Sequence, residues 1–439
     1  MTDEDRKPIR FLFAMFQGGG NIPLIMPIVS RLVASGHEVR VIAGPGIRPA
    51  QIPISESFLQ RIVAAGATYC PFRKPEANPF DSAPPIRGLL FGWLPHRLVG
   101  LATAQARTTV WSSSWAKNVS LQLRENGADV VVADYWLLGA LAAAEAANLP
   151  SAALVHNAFP PNASGQPPKG LGFLPARTLP ERFRQLLWQW AWNRVWVRNG
   201  LPFHNTARSE LGLKPLRHPF QQYDRATRVL VLGSKTFDFA APHLAANVCY
   251  VGTPIDDTPG PTDRWASPWP QDDARALVLV SLSTLSQGQG PVMHHVLEAI
   301  ATMPVRALVT LGPSLRKDDF AAAPNIVFEP FVPHSTVLPH VSAMVTQCGL
   351  GTLTKALMHG VPLVCIPLVG DQPDNAARIV AHGAGVRLSG EASAAEIQVA
   401  LRRVLAEPHF RQAAQFLATK LSAERPEDAA VAQLESLVR

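Results

Sequence analysis

The hydrophobic and polar positions of the chain divide it into two similar halves. In the first half, apolar runs of strand length alternate with helix-like stretches, and a glycine turn, GGG (18–20), follows the first run. Strand, glycine turn, helix and strand in this order open a parallel α/β sheet. The predicted strands are RFLFAMF (10–16), EVRVIAG (38–44), ADVVVAD (128–134), SAALVHN (151–157) and RVLVLGS (228–234), and the predicted helices cover 24–34 and 138–148.

The second half repeats the pattern after a segment rich in Pro, Asp and Thr, which predicts a linker within 252–273. Its predicted strands are ALVLVSLST (276–284), VRALVTLG (305–312), NIVFEPF (325–331), AMVTQ (343–347) and VPLVCIPL (361–368), with helices near 291–302, 352–359 and 407–422. We therefore predict an α/β protein with a first domain over 8–253, a linker over 254–273, a second domain over 274–418 and a terminal helical segment, 419–439, that returns to the first domain.

Two irregular stretches, about 70–115 and 157–225, hold most of the aromatic residues, and the second contains a predicted helix near 179–198. These aromatic side chains could pack the irregular stretches against the sheet, or some of them could line a pocket for an apolar ligand. Both interpretations stay open at the level of sequence. The tryptophans concerned are Trp93, Trp111, Trp115, Trp188, Trp190, Trp192 and Trp196.

Charge and cysteine content narrow the class of protein. The formal charge is +7, from 40 Lys and Arg against 33 Asp and Glu, which favours anionic partners such as nucleotides. The basic residues form no block, so nucleic-acid binding is not predicted. Four isolated cysteines show no metal-ligand spacing and are expected to be reduced. With no signal core and no stretch that could span a bilayer, the sequence predicts a cytoplasmic protein without an integral membrane segment.

The most informative segment is TQCGLGTLTKALMHGVPLVCIPLVGDQPDNAARI (346–379). A predicted strand ends at Gln347, and Gly349 and Gly351 bracket the turn that leads into the next helix. Glycines allow an anion to approach the backbone, and the free N–H groups of a helix N-terminus bind phosphate. We expect Thr352 to cap this helix and Lys355 to add positive charge in its first turn.

Asp371 and Gln372 follow the next predicted strand. In open α/β sheets, ligands bind beyond the carboxyl ends of the strands, so both side chains are placed to hydrogen-bond sugar hydroxyls. The alternative interpretation of the whole segment is a structural Gly-rich turn with a capping Asp. The occurrence of Asp-Gln at the end of the following strand favours the ligand-binding interpretation.

These motifs resemble the donor-binding signature of the UDP-glycosyltransferase superfamily, which includes the macrolide and antibiotic glycosyltransferases. The matching residues are GVP (360–362), IP (366–367), DQ (371–372), NA (375–376) and the segment FVPHSTVLPHVSAMVT (331–346), with GHEV (36–39) and VGTP (251–254) earlier in the chain. The resemblance implies a GT-B fold, with two Rossmann-like parallel-sheet domains facing each other across a cleft. It further implies an acceptor-binding first domain and a second domain that binds a nucleotide diphosphate sugar.

The resemblance also implies roles for single residues. Val332 would contact the base through its backbone, and Ser283 and Thr284 would lie near the diphosphate. Gly349, Gly351 and Thr352 would hold the phosphates, whereas Asp371 and Gln372 would hold the sugar. The family needs no metal cofactor, and no Asp-x-Asp motif is placed to bind one.

Two departures from the family pattern concern the donor. The phosphate-binding His of the family falls on Gln347, which carries no charge, and the Glu that holds the ribose hydroxyls of UDP-sugars falls on Lys355. Lys355 cannot accept hydrogen bonds from both hydroxyls, although it could restore the positive charge missing at Gln347. We therefore expect a deoxythymidine diphosphate sugar as donor, with a UDP-sugar as the alternative.

The third departure concerns catalysis. The catalytic His of the family falls on Asn21, which has no titratable base, and its partner Asp falls on Asp134. Asp134 could act directly or through a water held by Asn21, and His156 could also line the cleft. His37 belongs to the GHEV turn and is assigned no chemistry.

Two functions remain in competition. The first is an inverting transferase that acts on a small apolar or aromatic acceptor, such as a secondary metabolite with an acidic phenol or a nucleophilic carbon. The second is a catalytically silent protein that binds a nucleotide sugar or assists a partner transferase. A homodimer is compatible with either function.

Overall fold

A computed structural model describes residues 7–18, 20–46, 55–75, 105–157, 165–241, 243–256, 265–282, 288–321 and 323–438. Its strands form two parallel sheets, of seven strands in the order β3-β2-β1-β4-β5-β6-β7 and of six in the order β10-β9-β8-β11-β12-β13. The strands are β1 Arg10–Phe16, β2 Glu38–Gly44, β3 Thr68–Pro71, β4 Val130–Asp134, β5 Ser151–Val155, β6 Arg228–Val231, β7 Val248–Tyr250, β8 Ala276–Ser281, β9 Val305–Thr310, β10 Ile326–Glu329, β11 Ala343–Thr346, β12 Leu363–Cys365 and β13 Gly385–Arg387.

Helices connect the strands. They are α1 Ile22–Ala34, α2 Glu56–Ala64, α3 Ser112–Asn126, α4 Leu138–Ala146, α5 Leu179–Asn199, α6 Leu201–Glu210, α7 Gly290–Ala301, the single turn α8 His334–Val337, α9 Leu350–Met358, α10 Gln372–Ala381, α11 Ala394–Ala406, α12 Pro408–Ser422 and α13 Pro426–Glu435. No helix within these described ranges is both long and apolar enough to cross a membrane.

The central strands are buried on both faces, as parallel strands between layers of helices must be. In β1 every residue after Arg10 is buried, and the strand pairs in parallel with β2 (Phe11 opposite Val39) and with β4 (Phe11 opposite Val130). The predicted α/β class with two parallel sheets is confirmed. The first sheet takes all its strands from residues 10–250, and the second takes its strands from 276–387.

The last helix packs against the first half of the chain. On α13, Asp428 accepts a hydrogen bond from Arg31 Nε at 2.8 Å, and Glu435 Oε1 lies 3.0 Å from His37 Nε2. The backbone N–H of Ile9 donates to His37 Nδ1. His37 therefore ties the terminal helix to the first strand and takes no part in the cleft.

Most of the described tryptophans are structural. Trp111, Trp115, Trp192 and Trp196 are buried in the core, and Trp136 stacks on Trp196 with ring centroids 5.7 Å apart. Trp188 is half-buried, Trp190 is exposed, and Trp93 lies outside the described residues. For the four buried rings, the packing interpretation is correct.

Candidate active site

A strained turn joins β11 to α9 in the second half. Cys348 has a backbone φ of 69°, which side-chain-bearing residues rarely adopt. The hydroxyl of Thr346 accepts from the backbone N–H of Cys348 at 3.3 Å, and the carbonyl of Cys348 accepts from Asn375 Nδ2 at 3.0 Å. Strain of this kind is maintained where the surrounding structure fixes the backbone for function.

The turn presents the open N-terminus of α9. Gly349 is the N-cap residue, and as a glycine it has no side chain that could cap the helix. The N–H groups of Leu350, Gly351 and Thr352 have no acceptor among the residues that the structure describes. Thr352 lies inside the first helical turn, so the prediction that it caps the helix is wrong. Three free N–H groups at the positive end of a helix form an anion site.

Packing within the protein does not explain the two glycines of this turn. Among the residues that the structure describes, a Cβ atom at Gly349 would approach only Gln347 Nε2, at 3.6 Å, and a Cβ at Gly351 would approach only Leu24 Cδ2, at 3.8 Å. Both are ordinary contact distances, so alanine would fit in the absence of a ligand. Glycine at these two positions is instead explained by the space that it leaves for a ligand to approach the backbone closely.

Gln347 and Lys355 differ in their relation to the turn. Gln347 is buried, its Oε1 accepts from the hydroxyl of Thr346 at 3.3 Å, and its Nε2 lies over Gly349. Lys355 lies in the last turn of α9, so its predicted place in the first turn is wrong. The amide of Gln347 is therefore a side-chain donor beside the turn that carries the free N–H groups.

Asp371 and Gln372 begin α10 at the neighbouring strand end. Asp371 is the N-cap residue, and its Oδ2 accepts from Asn375 Nδ2 at 2.8 Å. Gln372 Oε1 accepts from the backbone N–H groups of Leu368 and Val369 at 2.8 and 2.9 Å, so this oxygen holds the preceding loop. Of the two side chains, Asp371 has the carboxylate oxygen, Oδ1, that remains without a partner in the described part of the chain.

Phe331 and Val332 follow the carboxyl end of β10 in the second sheet. Val332 is buried, whereas the ring of Phe331 is 75% exposed. An exposed aromatic ring beside the predicted base-binding backbone was not singled out from the sequence, although Phe at a strand end was visible there. Ser283 and Thr284 lie outside the described residues.

The first half contributes a buried cluster around Asp134. Asn21 Nδ2 donates to Asp134 Oδ2 at 3.0 Å and to the carbonyl of Phe16 at 2.9 Å. The backbone N–H of Trp136 donates to Asp134 Oδ1 at 3.1 Å. His156 Nε2 lies 3.1 Å from Asp134 Oδ2, within ion-pair distance, although the two groups are not aligned as a hydrogen bond. Asp134 therefore connects both side chains that the sequence placed at this end of the sheet.

Accessibility distinguishes the members of this cluster. The side chain of Asp134 is fully buried, whereas that of His156 is 11% exposed. No described residue hydrogen-bonds to His156 Nδ1. A proton on Nε2 would be attracted by the facing carboxylate, although Nε2 forms no hydrogen bond with it, and that tautomer leaves Nδ1 as an acceptor. The arrangement is that of a carboxylate–histidine pair with one nitrogen available to a ligand.

A segment of the first half, residues 165–173, docks on α10 of the second half. Asp374 Oδ2 and Oδ1 accept from the backbone N–H groups of Gly170 and Gly172 at 2.6 and 2.8 Å. Arg378 pairs with Asp238 at 2.5 Å. Burial raises the pKa of Asp374, against the opposing effects of Arg378 and of the two N–H donors. Asp374 was missed because its partners lie about 200 positions away in the chain.

Within the described ranges, no group of three or more His, Cys, Asp or Glu side chains is arranged to hold a metal ion.

Two parallel α/β sheets, with a phosphate-type turn on one and a carboxylate–histidine pair on the other, define a GT-B protein. Solved structures share this fold: the glycotransferase of kitacinnamycin at TM-score 0.75 and 18% identity, covering 99% of this chain and 100% of that one, and CalG4, the calicheamicin glycosyltransferase, at TM-score 0.71 and 20% identity, covering 99% of both.

Residues 102–439 match the family model of UDP-glucoronosyl and UDP-glucosyl transferases, and the chain belongs to this family. It is a glycosyltransferase of that family. It is 28% identical to 4'-demethylrebeccamycin synthase of Lentzea aerocolonigenes over 98% of this chain and 99% of that protein. It is 33% identical to demethyllactenocin mycarosyltransferase of Streptomyces fradiae over 34% of this chain and 32% of that one.

Proposed function

We propose that this protein is an inverting, metal-independent transferase that moves a sugar from a dTDP- or UDP-sugar to a small apolar or aromatic secondary metabolite. The observation that carries the proposal is the Asp134–His156 pair at 3.1 Å, which supplies a base although position 21 is Asn. The names of the relatives support the substrate class, since they refer to antibiotic scaffolds. Structures of similar fold hold dTDP or thymidine diphosphate, which supports a deoxythymidine donor.

In this mechanism the acceptor binds against the first half, with its nucleophilic hydroxyl facing His156. Nδ1 accepts the proton of that hydroxyl while the acceptor oxygen attacks the anomeric carbon of the sugar. The bond from this carbon to the diphosphate oxygen breaks on the opposite face, and its electron pair leaves with the diphosphate. The configuration of the sugar is therefore inverted.

Asp134 and Asn21 position this base. A buried carboxylate stabilises the imidazolium that forms during proton transfer, as Asp does in a catalytic triad. Asn21 Nδ2 fixes the orientation of the carboxylate by donating to Oδ2, and its second contact, to Phe16, anchors the amide itself. Asn21 therefore occupies the position of the family's histidine but does not accept the proton of the acceptor hydroxyl.

The second half binds the donor. The free N–H groups at the start of α9 and the Nε2 of Gln347 are available to the diphosphate, and helix N-termini stabilise negative charge without a metal. Asp371 Oδ1 is available to a sugar hydroxyl. Gly349 and Gly351 leave the space that the diphosphate needs to approach the backbone.

Transfer assays by mass spectrometry test this proposal. Purified protein receives dTDP- and UDP-sugars with a set of phenolic and polyketide acceptors, alongside His156→Gln and Asn21→Ala. We expect transfer by the wild type, a loss of about 10²- to 10⁴-fold in His156→Gln, and a smaller loss in Asn21→Ala. Thermal unfolding of each variant checks that the fold is retained.

The catalytically silent alternative predicts a different result. A silent protein would bind the nucleotide sugar but transfer nothing to any acceptor, and His156→Gln would be indistinguishable from the wild type. Retention of full activity in His156→Gln, with Asp134→Asn inactive, would instead assign the base to Asp134.

A further inference from the structure

Lys169 is a buried cation beside the Asp134–His156 cluster that the proposed mechanism does not use. It lies in the segment 165–173 and is 5% exposed. Its Nζ donates to the hydroxyl of Tyr135 and to Asn157 Oδ1, both at 3.0 Å. Tyr135 directly follows Asp134, and Asn157 directly follows His156. Lys169 is therefore held by the immediate neighbours of the carboxylate–histidine pair.

No negatively charged group of the described residues contacts the ammonium group of Lys169. Nζ lies 5.0 Å from the ring centroids of both Tyr135 and Trp136, and its hydrogen-bond partners are neutral oxygens. Tyr135 keeps its proton, because burial raises the pKa of its hydroxyl well above the usual value. No described carboxylate lies within ion-pair distance of Nζ.

Carboxylates of both halves act on Lys169 from further away. Burial lowers the pKa of Lys169 to about 8, and the attraction of Asp371, Asp374 and Asp134 offsets this only in part, while Arg378 opposes the charge. A buried ammonium group whose charge is incompletely balanced makes folding less favourable. An anionic ligand in the cleft would supply the missing countercharge.

The position of Lys169 depends on the donor half. The next residue, Gly170, and then Gly172 donate their backbone N–H groups to Asp374, and Arg387 Nη1 donates to the carbonyl of Gly172 at 2.5 Å. Asp374 lies three positions after Asp371, on the first turn of α10. The loop that carries Lys169 is thus fixed by the helix that begins with the predicted sugar-binding residue.

We propose that Lys169 is a donor-binding residue contributed by the acceptor half, which places a positive charge beside the anionic nucleotide sugar and is set in place by Asp374. This inference rests on the proposed function, because the nucleoside diphosphate is the anion that the function brings into the cleft. Lys169 would supply the charge that Gln347, in the place of the family's histidine, does not provide.

Calorimetric titration with dTDP and with UDP tests the proposal at pH 7 and pH 8.5, each in two buffers of different ionisation enthalpy. If the bound diphosphate raises the pKa of Lys169 from about 8 to about 9, the wild type takes up about half a proton at pH 8.5. Lys169→Met should bind about 10-fold more weakly at pH 7 and lose this proton uptake. Lys169→Arg should retain most of the affinity without proton uptake, because arginine stays charged.

Two further variants test whether the position of Lys169, and not only its charge, affects nucleotide binding. Asp374→Asn leaves Lys169 in the chain but weakens its docking, and we expect reduced affinity with reduced proton uptake. Lys117→Met serves as the matched control, because Lys117 is 70% exposed and pairs with Glu210 on the surface. This control should bind both nucleotides as the wild type does.

Thermal unfolding distinguishes a ligand-binding role from a structural one. Since burial of the charge is unfavourable, Lys169→Met should unfold at the same or a higher temperature while it binds nucleotide more weakly. The proposal is overturned if Lys169→Met retains both the affinity and the proton uptake, or if its weaker binding accompanies a lower unfolding temperature and the wild type takes up no proton. If the wild type binds neither dTDP nor UDP, the proposed function itself fails.

Discussion

The donor half and the acceptor half build their sites from different kinds of contact. In the donor half, the site residues follow one another within one stretch of chain, and the main binding groups are backbone N–H groups at the start of α9. In the acceptor half, the site is made by side chains far apart in sequence: Asn21 and Asp134 are 113 positions apart. Under the proposed function, the donor half recognises its ligand through main-chain geometry, and the acceptor half through assembled side chains.

This difference explains which departures from the family pattern each half tolerates. A backbone anion site does not depend on any one side chain, so Gln at position 347 leaves the site in place. A proton acceptor is a single side chain, so Asn at position 21 requires another base in contact with the same carboxylate. In the proposed mechanism this base is His156, whose Nε2 lies 3.1 Å from Asp134 Oδ2.

The largest expected effect comes from removing the charge of Asp134. Asp134→Asn should lower the rate of transfer about 10³-fold, because His156 loses the carboxylate that stabilises its protonated form. The affinity for dTDP or UDP should change far less, because the donor half is untouched and Asp134 acts on the charge of Lys169 only from a distance. Steady-state kinetics and calorimetry on the same preparation measure the two quantities.

Asp256→Asn is the control for this variant, since Asp256 is an exposed carboxylate paired with Arg61. It should match the wild type in both measurements. An Asp134→Asn variant that binds nucleotide as weakly as it transfers sugar would show that the two halves do not divide binding and chemistry between them.

The donor half was largely predictable from the sequence, for a physical reason. Glycines, a strand end and a following Asp-Gln act locally, so their spacing determines the turn between β11 and α9. The errors also concern local detail: the helix begins two residues earlier than expected, which moves Thr352 into the first turn and Lys355 away from it.

The acceptor half was less predictable. The hydrophobic pattern gave β1, β4 and β5, and hence placed Asp134 and His156 near strand ends. Their contact at 3.1 Å depends on side-chain orientation, which no spacing in the sequence reveals. Asp374 was missed because its partners, Gly170 and Gly172, belong to the opposite half, and Lys169 was missed because its partners lie 12 and 34 positions away. The elements α2, β3 and α3 were also missed.

The glycine turn offers a second test, directed at the donor half. Gly349→Ala should weaken nucleotide binding about 50-fold, on the scale of one charge-assisted hydrogen bond lost to a methyl group that holds the phosphate away from the backbone. The unfolding temperature should not fall, because the added Cβ would meet only Gln347 Nε2 at 3.6 Å and the φ of −62° suits alanine. Calorimetry and thermal unfolding report the two effects.

Gly290→Ala is the matched control for this substitution. Gly290 begins α7 in the same half, and a Cβ there would meet no atom within 4 Å. Equal losses of affinity in both variants would mean that the effect does not arise from the phosphate turn.

The pH dependence of the free energy of unfolding tests the buried polar network of the acceptor half, which includes His204. Burial lowers the pKa of His204 to about 4, so between pH 6.5 and 4 the unfolded chain binds a proton that the folded protein does not. The free energy of unfolding should therefore fall with decreasing pH, by about 2 kcal/mol between pH 6.5 and 5 from this residue. Urea titrations at both pH values should show a smaller decrease in His204→Gln.

The exposed His243 provides the control, since His243→Gln should leave the pH dependence of the wild type unchanged. In His204→Gln the new amide can still donate to Gln222 Oε1, which His204 Nε2 contacts at 3.1 Å. An identical pH dependence in His204→Gln and the wild type would show that this histidine is not kept neutral by burial.

The smallest expected effect tests whether a side chain contributes to donor binding beside the backbone site. Phe331 is 75% exposed next to Val332, where the base of the nucleotide is expected. Stacking of a base on an aromatic ring contributes about 1 to 3 kcal/mol, so Phe331→Ala should weaken dTDP or UDP binding about 10-fold. Phe416→Ala, which removes another exposed ring in the same half, should have no effect. If Phe331→Ala binds nucleotide as the wild type does, recognition in the donor half rests on the main chain alone, and the contrast with the acceptor half becomes sharper.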